Sequence, residues 1–65
     1  MISNYYFTAK AFVNGRISSI PLAAEWAETT DEAKEKALTK AKTWLDKDLT
    51  LSDLVLIRLT TIGRN

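Results

Sequence analysis

The first part of the chain alternates between apolar and polar residues on either side of Asn14-Gly15. A period of two is typical of strands that bury one face. Asn-Gly suits a two-residue type I′ turn, because both central residues of that turn need a positive φ. We therefore predict a β-hairpin with strands at about residues 3–13 and 16–27.

The two-residue turn sets the register of the hairpin, from Val13 opposite Arg16 outward to Tyr5 opposite Ala24. One face then carries the residues that we expect in the core, which are Tyr5, Phe7, Ala9, Ala11, Ile20, Leu22, Ala24 and Trp26. The other face is mixed and holds Tyr6, Thr8, Lys10, Phe12, Ile17, Ser19 and Ala23. The missing N–H of Pro21 would point away from the first strand, so we predict that the second strand is an edge of the sheet.

A helix is predicted over about residues 30–47. Thr29, followed three residues later by Glu32, has the spacing of a capping box, and lysines gather in the second half, where they complement the helix dipole. Apolar residues recur at helical spacing and form one stripe, which consists of Ala33, Ala37, Leu38, Ala41, Trp44 and Leu45. The small alanines should let the helix lie close to the sheet, with Trp44 and the rings of the hairpin filling the core.

A third strand is predicted at about residues 54–62. If Arg58 marks its outer face, Val55, Ile57 and Leu59 point at the helix. The residues expected to point with Arg58 are Leu54, Leu56, Thr60 and Ile62. Residues 1–65 are thus predicted to form a single small α+β domain with element order β-β-α-β, a three-stranded antiparallel sheet in the order 2-1-3, and one helix packed on one face.

The composition argues against catalysis and against a cofactor. The 65 residues include no Cys and no His, which removes the commonest metal ligands and the commonest general acid–base. Acidic clusters at residues 28–32 and 46–48 admit a carboxylate site for Mg²⁺ or Ca²⁺, but helix capping and dipole complementation explain such acids more simply. We therefore predict a protein that is not an enzyme and that holds no cofactor or metal.

The chain shows no pattern of a signal peptide, and no window approaches the roughly 20 apolar residues of a membrane span. The net charge of +1 gives no general attraction to nucleic acid or to an anionic membrane. A cytoplasmic location is therefore the expectation.

The face of the predicted sheet that points away from the helix is the predicted binding surface. It gathers aromatic and aliphatic side chains with two cations, a composition that protein interfaces favour. The residues expected to contact a partner are Tyr6, Lys10, Phe12, Ile17, Leu54, Leu56, Arg58 and Ile62. We predict a protein-binding module or inhibitor, of the kind that phages and mobile elements encode, which occupies the surface of another protein.

Self-association is expected to make this module a homodimer. It would use the same face or the outer edge of the third strand, which has no proline and only Arg58 to discourage pairing. The alternative function is a nucleic-acid-binding domain that stacks bases on Tyr6 and Phe12 and contacts phosphates through Lys10 and Arg58.

Overall fold

The computed structural model describes residues 2–61 and has an antiparallel sheet with one helix on one face, which confirms the predicted α+β class. Its strands are β1 (Ser3–Val13), β2 (Arg16–Pro21), β3 (Glu25–Ala27) and β4 (Leu54–Thr61). The helix α1 spans Thr30–Trp44, and a short 3₁₀ turn at Leu51–Asp53 leads into β4. The predicted second strand, at 16–27, is therefore two strands separated by three residues.

The hairpin has the predicted turn and register over its outer part. Val13 pairs with Arg16, and the pairing continues to Thr8 opposite Pro21. Asn14 and Gly15 both have positive φ, of 54° and 78°, as a type I′ turn requires. The Asn14-Gly15 turn thus sets the register in which β1 and β2 pair.

The first strand lies in the centre of the sheet. Thr8 and Ala9 each pair with β2 and with β4, and residues 3–5 each pair with β3 and with β4. Because a strand has only two edges, β2 and β3 share one edge of β1 and β4 occupies the other. The sheet therefore has the predicted order 2-1-3, with the broken return arm of the hairpin counted as one strand.

The return arm contains one residue more than the simple hairpin register allows. The N–H of Leu22 still donates to the carbonyl of Phe7, at 3.0 Å, but Tyr5 pairs with Glu25 and not with Ala24. The chain gains this residue between Leu22 and Glu25, in the manner of a β-bulge. We refer to this feature as the hairpin bulge.

The hairpin bulge reverses the faces of the residues that follow it, because side chains alternate along a strand. Glu25 and Ala27 turn towards the helix and are buried. The prediction that Trp26 belongs to the core is wrong, since Trp26 pairs with Asn4 on the opposite face and is 46% exposed.

A second irregularity occurs in β4. Tyr6 pairs with Arg58 but Phe7 pairs with Leu56, so Ile57 is an extra residue without its own partner on β1. The extra residue reverses the side of the sheet to which the preceding side chains of β4 point. The predicted orientations in the first half of this strand are therefore wrong. Leu54 and Leu56 lie on the helix side, and Val55 points with Arg58.

The second half of β4 agrees with the prediction. Leu59 lies opposite Tyr5 on the helix side, and Thr60 lies with Arg58 on the other side. Ile62 falls outside the described residues.

The helix begins as predicted and ends earlier. The side-chain oxygen of Thr29 accepts a hydrogen bond from the N–H of Glu32, at 3.1 Å, whereas the Glu32 carboxylate accepts from the N–H of Glu28. The helix ends at Trp44, where the ring is 58% exposed. The predicted burial of Trp44 is therefore wrong, and the buried stripe consists of Ala33, Ala37 and Ala41.

The core is small and is built mainly from alanine. Phe7 is the one large side chain among residues 2–61 that is completely buried, and its ring stacks on that of Tyr5 with 6.3 Å between centroids. The buried cluster consists of Tyr5, Phe7, Ala9, Ala27, Ala33, Ala37, Ala41, Leu49 and Leu54. Because α1 packs chiefly on β1 and β3, the helix side of β4 remains largely uncovered.

We predict a large difference between two phenylalanines of the same strand. Phe7→Ala should reduce the free energy of unfolding by about 3–5 kcal/mol, because it empties the centre of the core. Phe12→Ala should cost at most about 1 kcal/mol, since it removes one exposed cross-strand contact. Urea denaturation followed by circular dichroism measures both values, and equal losses would contradict this description of the core.

Candidate partner-binding surface

The open face is the side of the sheet opposite the helix. It consists of the alternate β1 residues from Asn4 to Phe12 together with their cross-strand partners. Its main side chains are Tyr6, Lys10, Phe12, Ile17, Trp26, Val55 and Arg58. The helix packs on the other side of the sheet, chiefly against β1 and β3.

The outer end of the open face carries an exposed apolar pair. Phe12 and Ile17 face each other across β1 and β2, with 72% and 68% of their surfaces exposed. Here the hairpin extends beyond Ala9, the last β1 residue that pairs with β4. The molecule is accordingly elongated, with extents of 47 × 17 × 16 Å. An apolar pair at the end of a projecting arm is accessible to a partner from several directions.

The centre of the open face is an ordered polar–aromatic cluster. The Arg58 guanidinium lies over the Tyr6 ring, 5.3 Å from its centroid, which is a cation–π geometry. The Asn4 side-chain amide donates to the Tyr6 hydroxyl at 3.1 Å. The Asn4 side-chain oxygen is buried and has no hydrogen-bond partner among the described residues. These contacts favour one arrangement of Tyr6 and Arg58, which lowers the entropy cost of binding through them.

Trp26 is a member of this surface that the sequence did not indicate. The hairpin bulge places it opposite Asn4, where it extends the open face beyond Tyr6. Alternation along 16–27 favours the core for this residue, and no residue type in that segment signals the extra position. The open face therefore has three aromatic rings, of which the sequence predicted two.

Five of the eight predicted contact residues lie together on the open face. They are Tyr6, Lys10, Phe12, Ile17 and Arg58. Leu54 is buried in the core, and Leu56 lies on the helix side of β4, so their prediction as part of this face is wrong. The last of the eight, Ile62, lies outside the described residues.

The charges near the projecting end are mixed. Lys10, Phe12 and Ile17 line a depression of about 240 Å³ together with three carboxylates, Asp46, Asp48 and Asp53. Two of these acids serve local turns, since Asp46 accepts from the N–H of Asp48 at 2.9 Å and Asp53 accepts from the N–H of Thr50 at 2.9 Å. The negative charge beside Lys10 weakens any phosphate-binding role for this end of the face.

Within residues 2–61, no group of three or more acidic side chains is arranged to hold a metal ion. The same residues contain no helix that is both long enough and apolar enough to cross a membrane. Comparisons with protein-family models, curated proteins and solved structures found no match for the chain.

Proposed function

We propose that the protein is a non-enzymatic protein-binding module that contacts another protein through its open face. The observation that supports this most strongly is the Phe12–Ile17 pair, whose large apolar side chains are about 70% exposed on a projecting hairpin. Exposed apolar residues that lie next to one another mark interaction surfaces more often than isolated ones do.

The remainder of the open face has the chemistry of a protein interface. Trp26, Tyr6 and Arg58 belong to the residue types that contribute most to binding energy in protein complexes. Tyr6 and Arg58 are already held by their mutual contact, so a partner would meet a formed surface. Inhibition of that partner by occupation of its surface, and a cytoplasmic location, remain part of this proposal.

Nucleic-acid binding is the second candidate, because Tyr6, Lys10, Phe12 and Arg58 do share one face. Three features make it the weaker one. The carboxylates beside Lys10 oppose a phosphate backbone, and the whole chain carries a net charge of only +1. The apolar Phe12–Ile17 pair also fits a protein surface better than a row of bases.

Phe12→Glu should abolish capture of the partner while leaving the fold intact, because it places a charge in the centre of the apolar pair. The measurement is affinity capture from a lysate of the source cells, with the parent, Phe12→Glu and Thr39→Glu compared side by side. Thr39 is exposed on the helix, so its variant adds the same charge away from the open face.

The proposal requires a protein that the parent and Thr39→Glu retain equally and that Phe12→Glu loses. Capture by all three variants would exclude the Phe12–Ile17 pair as the contact. Retention that disappears after nuclease treatment, and that falls about tenfold or more over a fourfold increase in salt, would favour the nucleic-acid function instead.

We further propose that two copies associate through the outer edge of β4. This eight-residue strand pairs with β1 on one side and with no other strand in residues 2–61 on the other. It contains no proline, and the exposed apolar residues around it are Leu51, Val55, Leu56, Ile57 and Leu59. Antiparallel pairing about a twofold axis would satisfy the free backbone groups and cover Leu56 and Leu59 of both copies.

Leu59→Pro should convert a dimer into a monomer. Leu59 lies opposite Tyr5, whose backbone groups face β3, so the N–H of Leu59 points outward and its loss leaves the β1–β4 ladder intact. Leu59→Thr keeps that N–H and should remain dimeric. Sedimentation equilibrium gives the mass of each; a monomeric parent, or a dimeric Leu59→Pro variant, would contradict edge pairing.

A further inference from the structure

A second candidate site lies on the other side of the sheet, between α1 and the return arm of the hairpin. It is a cleft of about 340 Å³ that opens to solvent. Leu22, Ala37 and Ala41 form much of its apolar wall, and Trp44 stands beside it with an exposed ring. The small alanines of the helix leave this space, and its volume falls in the range of small-molecule sites, roughly 300–1,000 Å³.

The cleft contains a buried carboxylate. Glu25 is 5% exposed, although it belongs to one of the residue types that are almost never buried without a partner. Its one charged partner in the described chain is Lys40, whose ammonium lies 3.2 Å from Oε1 and 2.9 Å from Oε2. The ammonium lies closest to Oε2, but there the contact is an ion pair without the alignment of a hydrogen bond.

Lys40 is an exchangeable partner for this carboxylate. Its side chain is 63% exposed and reaches the cleft from the helix surface, whereas the Glu25 side chain is held inside. A lysine with most of its surface in water loses little when its ammonium swings back into solvent. A second ammonium can therefore replace that of Lys40 without leaving a buried charge unpaired.

The hairpin bulge places a carboxylate, and not an aromatic ring, at this position on the helix side of β3. Without the extra residue, Trp26 would occupy the helix side and Glu25 would face away from the helix. Burial of a tryptophan is more favourable than burial of a carboxylate, because an ion taken out of water needs compensation. Local features that lower stability occur preferentially at functional sites. Bulges commonly direct a side chain into such a site.

We propose that this cleft binds a small organic cation, a primary ammonium attached to a short apolar body. The ammonium takes the place of the Lys40 group at the Glu25 carboxylate and donates to Oε2. The apolar body lies against Ala37 and Ala41, with the Trp44 ring at its side. This site is separate from the open face and does not depend on the function proposed for that face.

The test uses 2-phenylethylammonium as the probe and 2-phenylethanol as its neutral counterpart of the same shape. Binding is followed by the fluorescence of Trp44 in the Trp26→Phe variant, where Trp44 is the only tryptophan. Titrations are repeated after Glu25→Gln, which removes the charge and keeps the shape. Glu35→Gln, an equal charge change at an exposed helix position, is the matched control.

The proposal predicts saturable binding of the ammonium, with the alcohol weaker by about tenfold or more, since an ionised partner makes the stronger hydrogen bond. Glu25→Gln should weaken the ammonium by a similar factor, and Glu35→Gln should leave it unchanged. No saturation by the ammonium, or equal affinity for ammonium and alcohol in the folded parent, would overturn the proposal. If Glu25→Gln fails to fold, the difference in affinity between the ammonium and the alcohol still tests whether the cleft recognises a cation.

Discussion

One extra residue between Leu22 and Glu25 determines which side chains of β3 lie on each face of the sheet. In the outer hairpin, the Asn14-Gly15 turn sets a register that the chain keeps as far as the Leu22–Phe7 hydrogen bond. Beyond it the register moves by one, and each side chain of β3 changes face. Trp26 thereby joins the aromatic open face, and Glu25 enters the cleft below the helix. The third aromatic ring of the open face and the Glu25–Lys40 ion pair are two consequences of one backbone irregularity.

The size of the core explains why so much apolar surface stays outside. Alanines at 33, 37 and 41 bring α1 against β1 and β3, and the larger side chains of the core come from Tyr5, Phe7, Leu49 and Leu54. A helix seated there does not cover β4, so Leu56 and Leu59 face the helix side without contacting it closely. For a chain this short, burial of further apolar area through association would add to the stability that the core supplies.

The sequence predicted the features that depend on local chemistry. Asn14-Gly15 has one favourable turn type, Thr29 has one favourable role before a helix, and the proline at 21 fits only an edge. The faces of residues 25–27 and 54–57 were not predictable in this way. Each bulge inserts a residue without a distinctive residue type, and strict alternation then assigns Trp26, Leu54 and Leu56 to the wrong side. Tyr6 and Phe12 were placed correctly because alternation along β1 is not interrupted. Arg58 was placed correctly because its charge marked the outer face of the third strand.

The positions of Trp26 and Glu25 depend on the register of β3 against β1, which two-dimensional NMR measures. The Phe7 carbonyl accepts from the N–H of Leu22, so the backbone groups of Phe7 point to the edge of β1 that β2 and β3 share. Asn4 is three residues away, and its backbone groups point to the opposite edge. Asn4 and Trp26 therefore form a non-hydrogen-bonded pair, in which the α-protons approach closely. A strong cross-peak between the α-protons of Asn4 and Trp26 is the predicted result. A cross-peak between those of Asn4 and Glu25 would mean an unbroken hairpin, with Trp26 inside and no carboxylate in the cleft.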